Sequence, residues 1–439
     1  MQSDSDSTMC AKNSDILLAE NSLMDTEISI SDEGSHAGEK EQYLNASLSK
    51  LQMFPSTSTF LYYPRDDDSN CFDANKKLVE AFLKIGKGHA ALELFSMAIG
   101  IHAMDKKTFS KCLHKLYEEK CSFKEDILEI SRKVVRKHHE DLFSTSNGVI
   151  DITVSYDGTW QKRGHSSLYG IGIVIDILTG LIIDYEILSK YCPECTTAKR
   201  DLGENSAEYS IWYKSHQEEC SENYVGSSNA MEVKAAEILW KRSIKNCGMR
   251  YVSILSDGDA KTYQHLSSLN VYGNCIKIAK EECINHVAKR LGTGLRNKIL
   301  EWRNKGITIG GRKEGNLKEN TIVKLTNFYR KAIKDNAPDR ALAKNENPMS
   351  HSLMKTKLSE QVLEKILPVY QRLVNDELLE RCSAGKTQNA NESIHSVIWK
   401  NCPKETFVSK KRLEMGVISA IGGYNFGCFN SLAIERTMS

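Results

Sequence analysis

The chain has 439 residues, of which 40% are hydrophobic and 26% charged, and its formal net charge is +2. These values are ordinary for a soluble protein, and the length allows two or three domains or one domain with large insertions. No apolar run reaches the length of a membrane span, and the acidic N-terminal sequence has no apolar core, which excludes a membrane span and a secretory signal. We therefore expect an intracellular protein with no membrane partner.

Charge is unevenly distributed. Residues 1–40 carry nine Asp/Glu against two Lys, whereas residues 289–340 carry fourteen Lys/Arg against five Asp/Glu. The basic stretch would suit a polyanion such as DNA, although a solvated helical face explains it equally well. The thirteen cysteines of an intracellular protein are better interpreted as thiols or metal ligands than as disulfides.

The N-terminal third contains two different kinds of sequence. Residues 1–68 are rich in Ser, Asp and Asn and have no sustained periodicity, which predicts a disordered acidic leader. Residues 69–147 show apolar residues at helical spacing and predict a helical domain of about four helices. The apolar stripes are Leu78, Ala81, Phe82 and Ile85; Phe109, Cys112, Leu113 and Leu116; and Ile127, Ile130 and Val134.

A β-rich region follows. We predict strands at 149–156, 167–177, 181–188, 251–256 and 274–279, and helices at 229–245, from Ala260 and from about Glu281. The turn 178–180 joins the second and third strands as a hairpin, and Ser227 or Ser228 is expected to cap the first helix. Three meandering strands followed by alternating strands and helices form the element order of an α/β fold, the ribonuclease-H-like mixed five-stranded sheet. This order also arises by chance, so by itself it is a weak indication.

The domain plan follows from these elements. We expect a ribonuclease-H-like core at 148–300 with a zinc-knuckle insertion at 190–226, and a basic helical insertion at 301–380. The segment 381–439 would supply a last helix, at 389–399, and the glycine-rich C-terminal part.

Two carboxylates end the first and fourth predicted strands. If these strands lie side by side and parallel, Asp157 and Asp257 lie at the same sheet edge, where a cation is needed to offset their repulsion. Glu392, on the last helix, would complete a site for two Mg²⁺ or Mn²⁺ ions, which carry out phosphodiester chemistry. For either Asp-Gly pair alone, a simple turn is the favoured alternative, and Asp259 could instead cap the following helix.

The segment 190–226 contains a second set of ligands. Cys192, Cys195, His216 and Cys220 have the spacing Cys-x2-Cys-x20-His-x3-Cys, and we expect His216 and Cys220 to share one face of a short helix. Four N/S ligands leave no open position, so the metal would be structural Zn²⁺. So small an insertion could hardly bury a core without a metal. The alternative is a group of thiols near a loop by accident.

Cys283 and His286 form a separate pair, spaced i, i+3 on one predicted helix face. Two ligands do not make a zinc site by themselves. They could shape an active site or contact a nucleic-acid strand, but the spacing alone favours a buried cysteine and a satisfied core histidine.

Six ordered motifs across residues 70–428 resemble the Mutator-like transposases, cut-and-paste enzymes with a ribonuclease-H-like core. The motifs are 157–165 (DGTWQKRGH), the knuckle beginning at Tyr191, 226–232 (GSSNAME), 257–263 (DGDAKTY), 282–290 (ECINHVAKR) and 387–393 (TQNANES). The resemblance implies that Asp157, Asp257 and Glu392 are the catalytic triad and that Cys283 and His286 are the family's Cys-x-x-His pair. It also implies Mg²⁺-dependent strand cleavage and transfer at transposon ends.

The sequence departs from that family at three points. The segment around 341–348 suggests that part of the insertion before the last acid is missing, and His395 stands where the family would have Asn. No separate DNA-binding module is visible in the N-terminal sequence, and the chain stops soon after Phe429. The triad itself is present.

Two classes of function follow. The first is a DDE-type DNA transposase acting on terminal repeats and target DNA in the nucleus, a location inferred from the substrate. A metal-dependent nuclease of the same fold would differ only in lacking strand transfer. The second class is a catalytically inactive, transposase-derived protein that binds DNA or another protein. The sequence leaves open whether the chain forms a homo-oligomer.

Overall fold

The structure is a computed structural model that describes residues 73–143, 148–162, 166–257, 260–335 and 357–427. The predicted leader at 1–68, the shortened insertion around 341–348 and the chain end around Phe429 lie outside these ranges, as does Asp259.

Three helices precede the sheet: α1 (Asp73–Lys84), α2 (His89–Ala98) and α3 (Lys106–Phe143). The prediction of about four helices was wrong, because the stripes around Phe109 and Ile127 lie on one helix of 38 residues. That helix contains no Pro or Gly to break it, and the carboxylate of Asp105 caps its start by accepting from the N–H groups of Lys107 and Thr108.

A mixed five-stranded sheet forms the centre of the fold. Its strands are β1 (Ile150–Trp160), β2 (Tyr169–Asp176), β3 (Ile182–Ser189), β4 (Met249–Ser256) and β5 (Ala279–Glu282), in the order β3-β2-β1-β4-β5. β1, β2 and β3 are antiparallel neighbours, whereas β1, β4 and β5 are parallel. The predicted hairpin and the side-by-side parallel arrangement of the first and fourth strands are confirmed. The ribonuclease-H-like identity of the sheet and the domain boundaries stay predictions.

Two strand boundaries differ from the prediction. β1 does not end before Asp157, because its ladder with β2 continues from Asp157, opposite Ile173, to Trp160, opposite Gly170. β5 lies at Ala279–Glu282 rather than 274–279. The apolar segment suggested the strand, whereas the polar residues after it make the pairs with β4.

Helices cover both faces of the sheet. Because side chains alternate along a strand, Tyr156 of β1 points to one face and packs edge-on against Trp240 of α6 (Met231–Cys247). Ser155 points to the other face and donates a hydrogen bond to Asn391 of α12 (Asn389–Asn401). Gly172 of β2 allows α6 to come close, since a Cβ there would lie 2.8 Å from the Cβ of Ala235.

The segment between β3 and β4 is helical. It contains α4 (Pro193–Ala198), a π-helical turn (Lys199–Gly203), α5 (Ala207–His216) and a 3₁₀ turn (Ser228–Ala230) that leads into α6. Ser227 is at the N-cap position of the 3₁₀ turn but makes no side-chain cap hydrogen bond, and the hydroxyl of Ser228 donates to the carbonyl of Ser167 instead. The predicted capping role of these serines was therefore wrong.

Six more helices complete the described part of the chain. They are α7 (Ala260–Leu269), α8 (Ile284–Asn304), α9 (Glu319–Asp335), α10 (Glu360–Leu373), α11 (Asp376–Cys382) and α13 (Lys410–Phe426). α8 to α11 share one apolar cluster that includes Leu291, Ile322 and Val369, so the predicted insertion packs against α8, most of which lies in the predicted core. Within the described ranges, none of the helices has both the length and the hydrophobicity that crossing a lipid bilayer requires.

Candidate functional site

Asp157 and Asp257 occupy equivalent positions on two parallel neighbours. The last residues that pair between β1 and β4 are Ser155 and Leu255, and each aspartate lies two residues beyond its paired residue. Asp157 is partly buried inside the continuing β1, whereas Asp257 is exposed immediately after β4. The two acids are therefore at the same edge of the β1–β4 pair, as the sequence predicted, although only Asp257 follows a strand end.

A ladder of contacts fixes α12 over β1. Alternate residues of the strand meet every fourth residue of the helix: Ser155 binds Asn391, Asp157 faces His395, and the hydroxyl of Thr159 accepts from the indole N–H of Trp399 at 2.8 Å. The spacing matches, because two strand residues advance about 6.7 Å and four helix residues about 6 Å. Glu392 follows Asn391 directly, so this packing brings the third predicted acid to the sheet edge.

Gln388, just before α12, closes the junction between the two strands. Its side-chain amide donates to the carbonyls of Tyr156 (3.1 Å) and Leu255 (3.4 Å). Its backbone N–H donates to the buried thiol of Cys283 at 3.4 Å. Cys283 is the N-cap residue of α8 rather than part of the helix, so it does not share a helix face with His286. Cys283 was interpreted as a buried cysteine, and its exposure of 1% agrees with that interpretation.

Glu392 is held by basic residues of α8. Its Oε1 lies 3.4 Å from Nε2 of His286 and 3.6 Å from Nζ of Lys289, and 56% of the glutamate side chain is exposed. The interpretation of His286 as a satisfied core histidine was wrong, because the ring is partly exposed and its buried Nδ1 has no hydrogen-bond partner. His286 instead neighbours one of the predicted catalytic acids.

The charges of Asp257 and Glu392 act on Asp157. Burial, followed by the charge of Asp257 and then that of Glu392, raises the pKa of Asp157 to about 7, although the N–H of Gly158 opposes the shift. Among the described residues, the three carboxylates do not form a compact group of ligand atoms within 4.8 Å. The edge of the sheet therefore collects negative charge that a cation could bind and offset.

His395 lies directly against Asp157. Its Nδ1 is 3.7 Å from the Oδ2 of Asp157, and 13% of its side chain is exposed. Burial and then the charge of Lys404 lower the pKa of His395 to about 4, so the ring is neutral at physiological pH. Its Nε2 is buried and has no hydrogen-bond partner.

A Cys₃His cluster lies apart from these acids in the chain. The ligand atoms of Cys192, Cys195, His216 and Cys220 all lie within 4.8 Å of one another. Nε2 of His216 is 3.2 Å from the Cys192 sulfur, and the Cys195 and Cys220 sulfurs are 3.5 Å apart. These separations fit four ligands around one tetrahedral ion. The predicted clustering of the four residues is therefore confirmed, and the cluster is compatible with structural zinc.

Local structure explains how the four ligands meet. Cys192 caps α4 and Cys195 lies in its first turn, which directs both sulfurs to the same side. His216 ends α5, where its ring stacks on Trp212 at a centroid distance of 4.6 Å. Cys220 lies beyond the helix after a turn, so the prediction that it shares a helix face with His216 was wrong. Burial raises the pKa of the Cys192 thiol, and a bound metal would favour the thiolate.

Three residues that position Glu392 were not predicted from the sequence. Ser155, Gln388 and Asn391 had no assigned role, although a signal for them existed. Ser155 and Thr159 alternate with the aspartate on β1, and Asn391, His395 and Trp399 follow a four-residue spacing on α12. Neither pattern indicates its partner without the structure.

Comparison with protein families identifies the chain. The family model described as Mutator-like transposase matches residues 59–365, more than two thirds of the sequence. The matched range contains Asp157, Asp257 and the Cys₃His cluster and ends before Glu392. A search of the curated proteins finds no match. The chain belongs to the Mutator-like transposase family.

Proposed function

We propose that this protein is a DNA transposase that hydrolyses phosphodiester bonds at transposon ends and transfers the freed strand to target DNA. The observation that carries the proposal is the matched placement of Asp157 and Asp257, each two residues beyond the same β1–β4 pair. The packing of α12 on β1 adds Glu392 to this edge. Family membership supports the reaction type.

The three acids are proposed to hold two Mg²⁺ or Mn²⁺ ions. The donor set fits hard divalent cations, which prefer oxygen ligands. Burial and the charges of Asp257 and Glu392 raise the pKa of Asp157 to about 7, and a bound cation would offset that repulsion. Two such ions about 3.5–4 Å apart activate the attacking oxygen and stabilise the leaving oxygen in phosphodiester chemistry.

Residues of α8 and the residue just before α12 hold Glu392 at this edge of the sheet. His286 and Lys289 approach its Oε1 from α8, and Gln388 fixes the start of α12 against both strands. The buried thiol of Cys283 accepts from the N–H of Gln388. We assign Cys283 and His286 to the site in these positioning roles, beside their implied family role.

A polar groove beside Asp257 is the proposed path of the DNA. It has a volume of about 410 Å³ and runs between α8 and α10. Its lining residues are Asp257, His286, Lys289, Arg290, Thr293, Gly294, Asn297 and Arg372. Lys289, Thr293 and Asn297 are four residues apart and share one face of α8. Lys, Arg, Thr and Asn side chains are the usual ligands of DNA phosphates, so the groove would guide a strand toward the acids.

A cleavage assay tests the proposal. Purified, zinc-loaded protein with Mg²⁺ or Mn²⁺ should nick labelled terminal-repeat DNA and join the freed end to a target plasmid, whereas Asp157→Asn should do neither. Asp151→Asn, on the same strand at the opposite end, is the matched control because Asp151 pairs with Arg250 on the surface. Equal inactivity of the wild type and Asp157→Asn would refute the enzymatic proposal, and nicking without joining would indicate a nuclease.

One observation favours a second candidate, a catalytically inactive transposase-derived protein that binds DNA or a partner. The Glu392 carboxylate already contacts the cationic Lys289 and the ring of His286, an arrangement that could replace a metal ion. This alternative predicts salt-sensitive DNA binding that survives Asp157→Asn, without cleavage by the wild type.

A nuclear location follows from the proposed substrate. Zinc at the Cys₃His cluster would stabilise the insertion without taking part in chemistry, because four protein ligands leave no open position.

A further inference from the structure

The loop between α12 and α13, residues 402–409, carries an exposed aromatic ring. Phe407 is 55% exposed and packs edge-on against Tyr191, with the ring centroids 5.5 Å apart. The backbone of Tyr191 is held by Ser189, whose hydroxyl donates to the Tyr191 carbonyl at 2.9 Å and accepts from its N–H at 3.2 Å. Phe407 and Tyr191 thus form one surface, which we call the aromatic platform.

The sheet places the aromatic platform at the edge that carries Asp157. β2 pairs with both β1 and β3, so the ends of β1 and β3 lie at one edge of the sheet. Asp157 is three residues before the end of β1, and Tyr191 is two residues after the end of β3. The side-chain amide of Gln161, the residue after β1, donates to the carbonyl of Thr406 at 3.1 Å, which attaches the loop to this edge.

The aromatic platform and the polar groove are on different sides of the acids. The strand order is β3-β2-β1-β4-β5. The platform contacts the β1 and β3 ends, whereas the groove lies beside Asp257, after β4, and along α8, after β5. A DNA strand that follows the groove to the acids therefore reaches the platform beyond them.

Lys404 adds a positive charge to this side of the site. Its Nζ lies 4.9 Å from the centroid of the Trp399 ring, which packs α12 on β1. Burial and then the charge of Lys404 lower the pKa of His395, the ring whose Nδ1 lies 3.7 Å from the Oδ2 of Asp157. Lys404 is therefore close to the acids and three residues before Phe407.

We propose that Phe407 stacks on an unpaired DNA base next to the cleaved phosphodiester bond, and that Lys404 binds the phosphate of that nucleotide. The inference rests on the proposed function, since it requires DNA at the acids. Aromatic rings beside cationic side chains are the usual means of binding single-stranded nucleic acid, because every base has a face that can stack. A base inside an intact duplex is not accessible to such a ring, so the platform distinguishes an opened strand from a paired one.

DNA binding by the full-length, zinc-loaded protein without Mg²⁺ tests the proposal without any turnover. Two terminal-repeat duplexes of equal length are compared, one fully paired and one with a short unpaired stretch beside the cleavage position. We expect the wild type to bind the opened duplex about tenfold more tightly. Phe407→Leu should remove this preference, and Phe407→Trp should keep it. Equal affinity of the wild type for both duplexes, or an unchanged preference in Phe407→Leu, would overturn the proposal.

Matched variants separate the platform from other exposed aromatic and basic residues. Phe328, on α9, is 50% exposed, and Phe328→Leu should keep the preference. Lys404→Met should reduce the slope of log affinity against log salt concentration by about one phosphate contact. Lys365→Met should not, although Nζ of Lys365 lies 4.6 Å from the Trp302 ring centroid. Equal effects of a control and its partner would overturn the assignment of that partner.

The same comparison with DNA of unrelated sequence identifies the strand that is bound. A preference for the opened duplex with the terminal repeat alone would assign the aromatic platform to the transposon end. A preference with both DNAs would assign it to any opened strand, target DNA included. Either result supports stacking on an unpaired base.

Photocrosslinking of the wild type covers the case in which a variant does not fold. Iodouracil at the unpaired position should crosslink to Phe407 or Tyr191, identified by mass spectrometry, and crosslinks only to other residues would overturn the proposal. DNA cleavage without these crosslinks would leave the proposed function standing. Crosslinks without any cleavage would overturn the enzymatic proposal and keep the platform, and absence of DNA binding would overturn both.

Discussion

Replacing Asp157 by Asn should stabilise the metal-free protein at neutral and basic pH. The pKa of Asp157 is raised from 3.8 to about 7 by burial and by the charges of Asp257 and Glu392, so the fold opposes ionisation of this carboxyl. A carboxyl group whose pKa is raised by folding costs no stability at a pH where it is protonated in both the folded and the unfolded protein. The loss of folding stability that ionised Asp157 causes grows as the pH rises from about 4, and it is complete above about 7.

The magnitude follows from the shift. About three pKa units correspond to an upper limit of about 4 kcal/mol, but 26% of the side chain is exposed. Screening by water therefore reduces the expected increase in the free energy of unfolding of Asp157→Asn to about 1–2 kcal/mol. At about 2–4 °C per kcal/mol for a cooperative unit of about 200 residues, this equals a rise in Tm of about 2–8 °C. Asn keeps an oxygen for the N–H of Gly158, which donates to the Oδ1 of Asp157 in the wild type.

The assay compares the melting temperatures of wild type and Asp157→Asn between about pH 5.5 and about pH 8, without and with about 10 mM Mg²⁺. The increase in stability of Asp157→Asn over the wild type should be about twice as large at the higher pH. Mg²⁺ should remove this difference, because it stabilises only the wild type. Asp151→Asn should show neither effect, because Asp151 forms a partly exposed ion pair with Arg250. A gain in Tm that is independent of both pH and Mg²⁺ would show that the buried charge of Asp157 is not its cause.

Three further changes test other parts of the structure. Cys195→Ser should abolish the binding of about one zinc ion per chain, measured by elemental analysis, and lower the Tm. Gly294→Ala should destabilise the α8–α10 packing by about 1–3 kcal/mol in thermal or urea unfolding, because its Cβ would lie 2.6 Å from a methyl group of Val369. Arg372→Ala should weaken DNA binding. It should also reduce the slope of log affinity against log salt concentration by the amount expected for about one phosphate contact.

Matched variants exist for each of these changes. Cys275→Ser alters an exposed thiol outside the cluster and should leave the zinc content unchanged. Gly88→Ala should change stability little, since nothing lies within 4 Å of its added Cβ. Arg330→Ala, on α9, should leave the salt dependence unchanged because Arg330 does not line the groove. If any control matched its partner variant in effect, the corresponding structural explanation would be wrong.

The Cys₃His cluster could be predicted because its four ligands lie close together in the sequence. All four ligands fall within 29 consecutive residues, 192–220, and the spacing itself indicates a metal. The one local error concerned Cys220, which the structure places after a turn rather than on α5. That error did not affect the cluster, because the turn returns the sulfur to within 3.5 Å of Cys195.

The strand boundaries show where local patterns fail. Asp157-Gly158 has the composition of a turn, but hydrogen bonding to β2 extends β1 through Trp160. β5 has four residues with the sequence AKEE, and nothing apolar marks it as a strand. Its position is set by parallel pairing with β4 at the sheet edge, which is a tertiary effect.

The contacts that bring Glu392 to the site could not be predicted, because they join distant parts of the chain. Ser155 and Asn391 are 236 residues apart, and Thr159 and Trp399 are 240 apart. Each residue belongs to a visible periodic pattern, but periodicity identifies a face and not the surface against which it packs.

The most direct test of the metal site is anomalous X-ray diffraction from crystals of the zinc-loaded protein soaked in Mn²⁺. We expect two manganese peaks about 3.5–4 Å apart at the edge of the sheet, bounded by the carboxylates of Asp157, Asp257 and Glu392. Manganese elsewhere, or Glu392 still bound to Lys289 with no ion at Asp157, would contradict it.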